Sequence, residues 1–247
     1  MSPSPLLWSL ALGGAAAAAN VVGGLVVTRR KHWNEAFLKY FMALGAGFML
    51  AAVFLRMIPE SFARSARAPL LVLTGYFLVH FFEHTVAPHF HFGEEVHEEV
   101  MLHPAVAFSA LLGLSIHTFF DGVSIASGFL VSRPLGLLIF CAVALHKIPE
   151  GFTVASIALA SGRGSRGALS ASLVLAGATL AGVLAMNLVS GSVAYALPLS
   201  AGVTLYVAAS DLMPEVNEER GPAMPLVVFL GVAFFYLSER ALELLGL

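Results

Sequence analysis

Charge is what this sequence has least of. Only 11% of its 247 residues are charged and 58% are hydrophobic, whereas soluble domains carry about 25% charged residues. That much apolar surface cannot be hidden in one soluble core of this length, so lipid must cover part of it. Cysteine is nearly absent too. The single Cys141 excludes an intramolecular disulfide and a cysteine-rich metal cage, and its apolar neighbours suit plain packing. No basic cluster with interleaved aromatics is present, so nucleic acid is not an expected partner. The net charge of −2 points to no partner class. The His-Glu-x-x-His signature of zinc proteases is missing as well.

What is present is a series of long, continuous apolar runs. A transmembrane helix needs roughly 20 apolar residues, which leaves room for eight spans with short loops. Backbone groups in lipid must be satisfied within their own segment, so helices are expected; a barrel would show short alternating stretches instead. The spans are expected near 5–28, 37–57, 69–83, 104–131, 135–160, 168–190, 194–213 and 223–245. The third is the shortest run, and its helix is expected to continue past the membrane surface. Breakers and charges fill the connections Arg56–Pro69, Ser132-Arg133-Pro134, Ser161–Gly167 and Pro214–Pro222.

Arg29-Arg30-Lys31 follows an apolar stretch with no charged side chain before it. A cleavable signal carries its positive charges ahead of the apolar part, so an uncleaved first span with its N-terminus outside is expected. Inside loops then hold Arg29, Arg30, Lys31, Lys39, Arg163, Arg166 and Arg220; outside segments hold Arg56, Arg64, Arg67, Arg133 and Arg240. The seven-to-five bias is small but has the right sign, and both termini are expected outside.

Two internal repeats stand out. GAGFMLAAVFLRMIPE (Gly45–Glu60) parallels SAGVTLYVAASDLMPE (Ser200–Glu215), matching Ala46, Gly47, Leu50, Pro59 and Glu60 with Ala201, Gly202, Leu205, Pro214 and Glu215. The two segments lie in spans of opposite direction, as in the inverted repeats of secondary transporters; AG pairs and a terminal PE are also common helix features. The second repeat is sharper. HTFFDG (117–122) and HKIPEG (146–151) both read His-x-x-x-carboxylate-Gly, in spans four and five, which a very short turn makes antiparallel neighbours.

Residues four apart share a helix face, so His117 points with Asp121 and His146 with Glu150. If the faces meet, two imidazoles and two carboxylates converge within the membrane. Such a set suits Zn2+ and also accepts Fe2+, Mn2+, Co2+ or Cd2+. Buried carboxylates are costly in a bilayer and mark ion paths or proton relays. The plainer reading, interhelical hydrogen bonding, fits one such histidine better than two histidine–acid pairs at the same spacing. Pro149 removes one backbone bond and frees the carbonyl at position 145, either to line an ion path or simply to kink the helix. Lys147, next to His146, either fills a place that a second metal would take or snorkels toward an interface.

The stretch EHTVAPHFHFGEEVHEEVMLH (Glu83–His103) has five histidines, His84, His89, His91, His97 and His103, and no lysine or arginine. Residues 84–103 form an expected cytoplasmic loop, read either as a solvated acidic segment or as loose metal capture. His80, Glu83 and His84 share one helical face at the expected inner mouth, and with His89, His91 and His97 they make up the candidate capture set.

At HTFFDG and HKIPEG, with AGVTLYVAASDLMPE and a histidine-bearing loop after the third span, the chain resembles the ZIP (Zrt/Irt-like) family of metal-ion transporters. The resemblance implies an all-α membrane protein of eight spans in a 3+2+3 arrangement, spans 1–3 and 6–8 forming the inverted repeat. It implies a metal centre between spans four and five, import toward the cytoplasm by an elevator-like motion of a four-helix unit, a homodimer and a plasma-membrane setting. By motif, the metal position is His117, Asp121, His146 and Glu150, with Asp121 where many members have glutamate. The family's second position often uses asparagine and aspartate where this chain has Thr118 and Lys147, so one transport site is expected. Zn2+ is then substrate rather than cofactor, no organic cofactor is expected, and the chain is not expected to be an enzyme. A membrane-embedded metal-dependent hydrolase is the alternative; it would need a spare base near the metal-bound water, for which Asp211 is the one candidate.

Overall fold

The computed structural model describes residues 4–29, 35–85, 104–219 and 221–246. These residues form eight helices and no strand. Helix α1 spans Pro5–Arg29. Helix α2 runs Glu35–Ala52, loosens into a π-helical segment at Val53–Met57 and resumes over Ile58–Arg64. Helix α3 is Ala68–Thr85, α4 Pro104–Val131, α5 Arg133–Ala160 and α6 Gly164–Leu188. A 3-10 turn, Ser190–Ser192, leads into α7, which runs Val193–Tyr206, passes through a π-helical segment at Val207–Leu212 and ends with Met213–Glu218. Helix α8 is Ala223–Leu244.

Seven of these helices are long and apolar enough to cross a bilayer. The expected third span, 69–83, is the one that falls short. Its 18-residue helix α3 reaches only about 27 Å at 1.5 Å per residue, and its last two turns carry His80, Glu83 and His84. Large apolar side chains such as Leu70, Leu73, Phe77, Phe229, Leu230 and Leu237 are exposed along α3 and α8. Soluble monomers rarely expose contiguous apolar surface on this scale; such a surface needs a cover of lipid or protein. The protein is an integral, multi-pass membrane protein.

The turn between α4 and α5 is made by one residue. Ser132 is extended (φ −162°, ψ 155°) and its Oγ accepts the Leu135 N–H at 3.3 Å, with Pro134 in the first turn of α5. This is an ordinary N-cap, and it forces the two motif helices to run side by side. Around them, α5 contacts α1, α2, α4 and α6, while α4 also contacts α6 and α7.

The terminal glycines of the two motifs set how closely the flanking helices approach. A Cβ at Gly122 would stand 2.0 Å from the Thr179 carbonyl oxygen of α6, and one at Gly151 would stand 2.0 Å from the Asn20 carbonyl oxygen of α1. The contact is reciprocal: Gly182 lies against the Phe119 carbonyl and Gly23 against that of Ile148. Small residues let membrane helices pack backbone to backbone, so α6 backs α4 as α1 backs α5.

The longer sequence repeat also has a structural counterpart. Both π-helical segments end just before the proline of the motif, Pro59 or Pro214. Each aligned glycine takes a close helix crossing, Gly47 against the Val228 carbonyl of α8 and Gly202 against the Val72 carbonyl of α3. The α2–α8 and α7–α3 pairs are therefore built alike.

Substituting Gly151 with leucine is expected to push α1 off α5 and destabilise the fold by about 1–3 kcal/mol or more. A lowered detergent unfolding temperature checks this, with Gly177→Leu, which has open space around it, as the neutral comparison.

Candidate metal centre

His117 and Asp121 are one turn apart on α4, and His146 and Glu150 one turn apart on α5. All four are at most 2% exposed. One ligand atom from each lies within 4.8 Å of the others. His146 Nε2 stands 3.2 Å from Asp121 Oδ2 and 4.0 Å from Glu150 Oε2, and His117 Nε2 stands 3.4 Å from Glu150 Oε1. Ligands 2.1 Å from a tetrahedral zinc are about 3.4 Å apart, so small side-chain movements complete such a shell.

The hydrogen bonding of His146 fits a cation as well. Its Nδ1 faces the Ala142 carbonyl at 3.2 Å, and its Nε2 faces a carboxylate oxygen. A neutral imidazole has one proton for these two acceptors. With that proton on Nδ1, which orients the ring as metal-bound histidines are commonly oriented, the Nε2 lone pair and Asp121 share the place for a metal ion. His117 Nδ1 and Asp121 Oδ1 are buried with no hydrogen-bonding partner among the described residues.

Lys147 does not snorkel. It is fully buried, with Nζ 2.6 Å from Asp121 Oδ2, 2.5 Å from Glu150 Oε2 and 3.2 Å from Thr118 Oγ1. Thr118 in turn donates to Glu150 Oε1. The two side chains at the expected second position thus close on each other, and the ammonium bridges both acids. A cation already occupies the side of the carboxylates where a second metal would sit.

His80, Glu83 and His84 follow one another along one side of α3. The two histidines are exposed with their rings 4.0 Å apart, and Glu83 is buried beside His117 and Asp211, the ligand atoms of the three again within 4.8 Å of one another. Asp211 sits in the π-helical segment of α7. A narrow cavity lined by His117, His146, Glu150, Val207, Asp211 and Leu212 connects the two groups. His117 is common to both. The convergence of α3 and α7 on α4 has no local sequence signal, although acids in apolar runs, as at Asp211, are the residues to inspect. His89, His91 and His97 lie outside the described residues.

Pro149 is accommodated inside a continuous α5. The carbonyl of Leu145 that it frees lies against Gly45 of α2. Beside Glu150, the residues Leu38, Lys39, Met42, Pro149, Phe152, Thr153 and Glu215 line a second cavity of about 200 Å3.

The ZIP zinc transporter family model matches residues 91–239, more than half of the chain and all of α4 to α7. The chain belongs to the ZIP family. Among individual members, it is 32% identical to zinc transporter SLC39A7 of Mus musculus over 127 residues, 47% of this chain and 27% of that protein. It is 29% identical to zinc transporter ZIP13 of Pongo abelii over 206 residues, 75% of this chain and 60% of that protein. With human zinc transporter ZIP4 it shares 33% identity over 122 residues. The chain therefore spans between a quarter and three-fifths of the length of the first two relatives. ZIP membership places it in a transporter family, not an enzyme family.

Removing the lysine amine tests the charge arrangement. Lys147→Met is expected to destabilise the metal-free protein by about 3–5 kcal/mol, as losing one partner of a buried ion pair does. Added Zn2+ should restore a larger part of the unfolding temperature in Lys147→Met than it adds to the wild type.

Proposed function

We propose that this ZIP protein moves a divalent cation, Zn2+ first among them, across the membrane and into the cytoplasm through the α4–α5 centre. The observation that carries the reading is the convergence of His117, Asp121, His146 and Glu150 in a fully buried position between two membrane helices. Two imidazoles and two carboxylates match Zn2+, and the same set takes Fe2+, Mn2+, Co2+ or Cd2+. The ion exchanges its waters for these four side chains, then leaves on the other side.

One ion binds at a time. Lys147 holds one oxygen of each acid, so the second position at Thr118 and Lys147 stays closed to metal. Release runs through His117, whose neighbours Glu83 and Asp211 receive the ion on the side of α3 and α7. The cavity beside Pro149, Lys39 and Glu215 is a second opening on the end of α5 that the charge pattern assigns to the cytoplasm. His80, His84 and the histidines of the 84–103 loop then hold the ion loosely.

The architecture that serves this is eight spans in a 3+2+3 arrangement with both termini outside, the short α3 included. In it α1, α4, α5 and α6 move as one elevator-like unit against α2, α3, α7 and α8. The similar α2–α8 and α7–α3 pairs support the inverted repeat this needs. A homodimer in the plasma membrane completes the proposal, with the exposed α3 and α8 faces as its contact surface or lipid boundary.

Proteoliposomes test it. Wild type is expected to take up Zn2+ saturably, and His117→Ala/His146→Ala to abolish uptake while keeping its fold. Loading should fall as the pH is lowered, since a protonated imidazole has no lone pair for the metal. Lys147→Asp should raise the bound zinc per chain from one toward two. A wild type that binds Zn2+ and moves none across a gradient would end the transport reading.

A further inference from the structure

Two serines on α4 stand apart from the other buried hydroxyls. In these helices the hydroxyls of Ser61, Ser115, Ser156, Thr179, Ser200 and Thr204 donate to the carbonyl four residues back, at 2.6–3.3 Å. This is the usual way to satisfy a hydroxyl in an apolar surrounding. Ser124 and Ser127 are fully buried and have no such bond, nor any other partner among the described residues. A buried polar group without a partner is costly. Two of them one turn apart, leading away from a charged site, call for an occupant that brings its own polar atoms.

Their direction follows from helix geometry. Phe120, Ser124, Ser127 and Val131 stand at i, i+4, i+7 and i+11, one stripe of α4. Phe120 packs on the cluster of Val79, Val203 and Tyr206, and α4 contacts α7 directly. On the next stripe of α4, Val123 and Ala126 belong to a cluster against which Val193 and Ala196 of α7 pack. That cluster also includes Val183 and Met186 of α6, and Ser127 lies on the Phe120 stripe, on the side nearer to it. On α7, Ser200 shares a stripe with Ala196 and Val203, and Thr204 follows one turn later; both are at most 2% exposed. The α4–α7 seam therefore carries hydroxyls from both helices. They lie between the His117–Asp121 site and the Ser132 turn, the end of α4 assigned to the outside.

We propose that this seam is the outer half of the ion path, in which Ser124 and Ser127, opposite Ser200 and Thr204, serve as oxygen ligands for a partly hydrated divalent cation on its way to Asp121. Hard divalent ions accept neutral oxygens alongside retained waters, and hydroxyls hold an ion weakly enough to let it pass. In this conformation the helices are packed against each other and the seam is closed; water and ion enter it when α4 and α7 separate. The assignment rests on the α4–α5 centre as the transport site, and it also makes a claim about water access that is independent of transport.

The test uses the full chain in a Cys141→Ser background. Ser124→Cys and Ser127→Cys, reconstituted in proteoliposomes, are treated with a membrane-impermeant cationic thiosulfonate from the outside. Expected is labelling at both positions, slowed by Zn2+, and persisting without zinc protection when His117 and His146 are alanine. A cysteine at Leu184, on the exposed side of α6, should stay unlabelled. In the native-cysteine chain, Ser124→Ala/Ser127→Ala should slow Zn2+ uptake roughly fivefold, as expected for lost neutral oxygen contacts, with zinc affinity in detergent unchanged. No labelling at 124 and 127, or an alanine pair that transports at the wild-type rate, overturns the seam as the path. Labelling in a protein that moves no Zn2+ overturns the transport reading and keeps the seam as a water-accessible cleft.

Discussion

The buried ammonium of Lys147 is the interaction on which the rest of the centre depends. Two carboxylates without a counter-charge, placed between membrane helices, would each lose several kcal/mol of hydration on burial. Lys147 lies within hydrogen-bonding distance of an oxygen on both, and Thr118 supports the same network from α4. The motif helices are thereby tied across their interface by charge as well as by the apolar packing of Ile125 and Phe129 on Leu135, Ile139 and Val143. Asp121 Oδ2 and Glu150 Oε2 face both Lys147 and His146, while Asp121 Oδ1 has no hydrogen-bonding partner among the described residues, so a metal would share the first two oxygens with the ammonium. A centre built this way keeps its geometry when empty, because the cation that holds the acids together belongs to the chain itself.

If the proposed transport cycle holds, that arrangement bears on the return of the empty centre. With Asp121 and Glu150 ionised and Lys147 protonated, the empty centre has a net charge of −1, and with one divalent ion it has +1. A centre with a second metal in place of the lysine would swing further, from −2 to +2. Moving charge through a low-dielectric interior is the main cost of such a step, so the fixed lysine narrows the difference between the loaded and empty forms. On the proposed reading the cost is stoichiometry, one ion carried where two carboxylates could face two metals.

Much of this was legible in the residues. The His-x-x-x-carboxylate-Gly repeat puts histidine and carboxylate on one face by helix periodicity, whereas the close packing at Gly122 and Gly151 does not follow from it. The short Ser132 turn made α4 and α5 neighbours before any coordinates did. Other features were not legible. Glu83 reads as one face with His80 and His84, but sequence shows only its own helix and gives no sign that it meets His117 and Asp211. Helix α3 looks like a span by pattern, yet its polar last turns leave it below the length and hydropathy of the other seven. The π-helical segments, too, have no reliable signal beyond the proline that follows them.

The two π segments hold different residues at the aligned position, and that difference separates their roles. In the aligned repeat the position of Asp211 is held by Arg56 on α2. Arg56 lies within the equivalent π segment and pairs with Glu239 of α8 at 2.6 Å, partly exposed. An extra residue in a helical turn re-aims the side chains that follow it. The same local distortion therefore serves two ends: on α2 it fixes an ion pair between outer helices, and on α7 it brings a carboxylate to His117. Within two similar segments, the residue at one aligned position, Arg56 or Asp211, thus decides whether the segment pairs with an outer helix or faces His117.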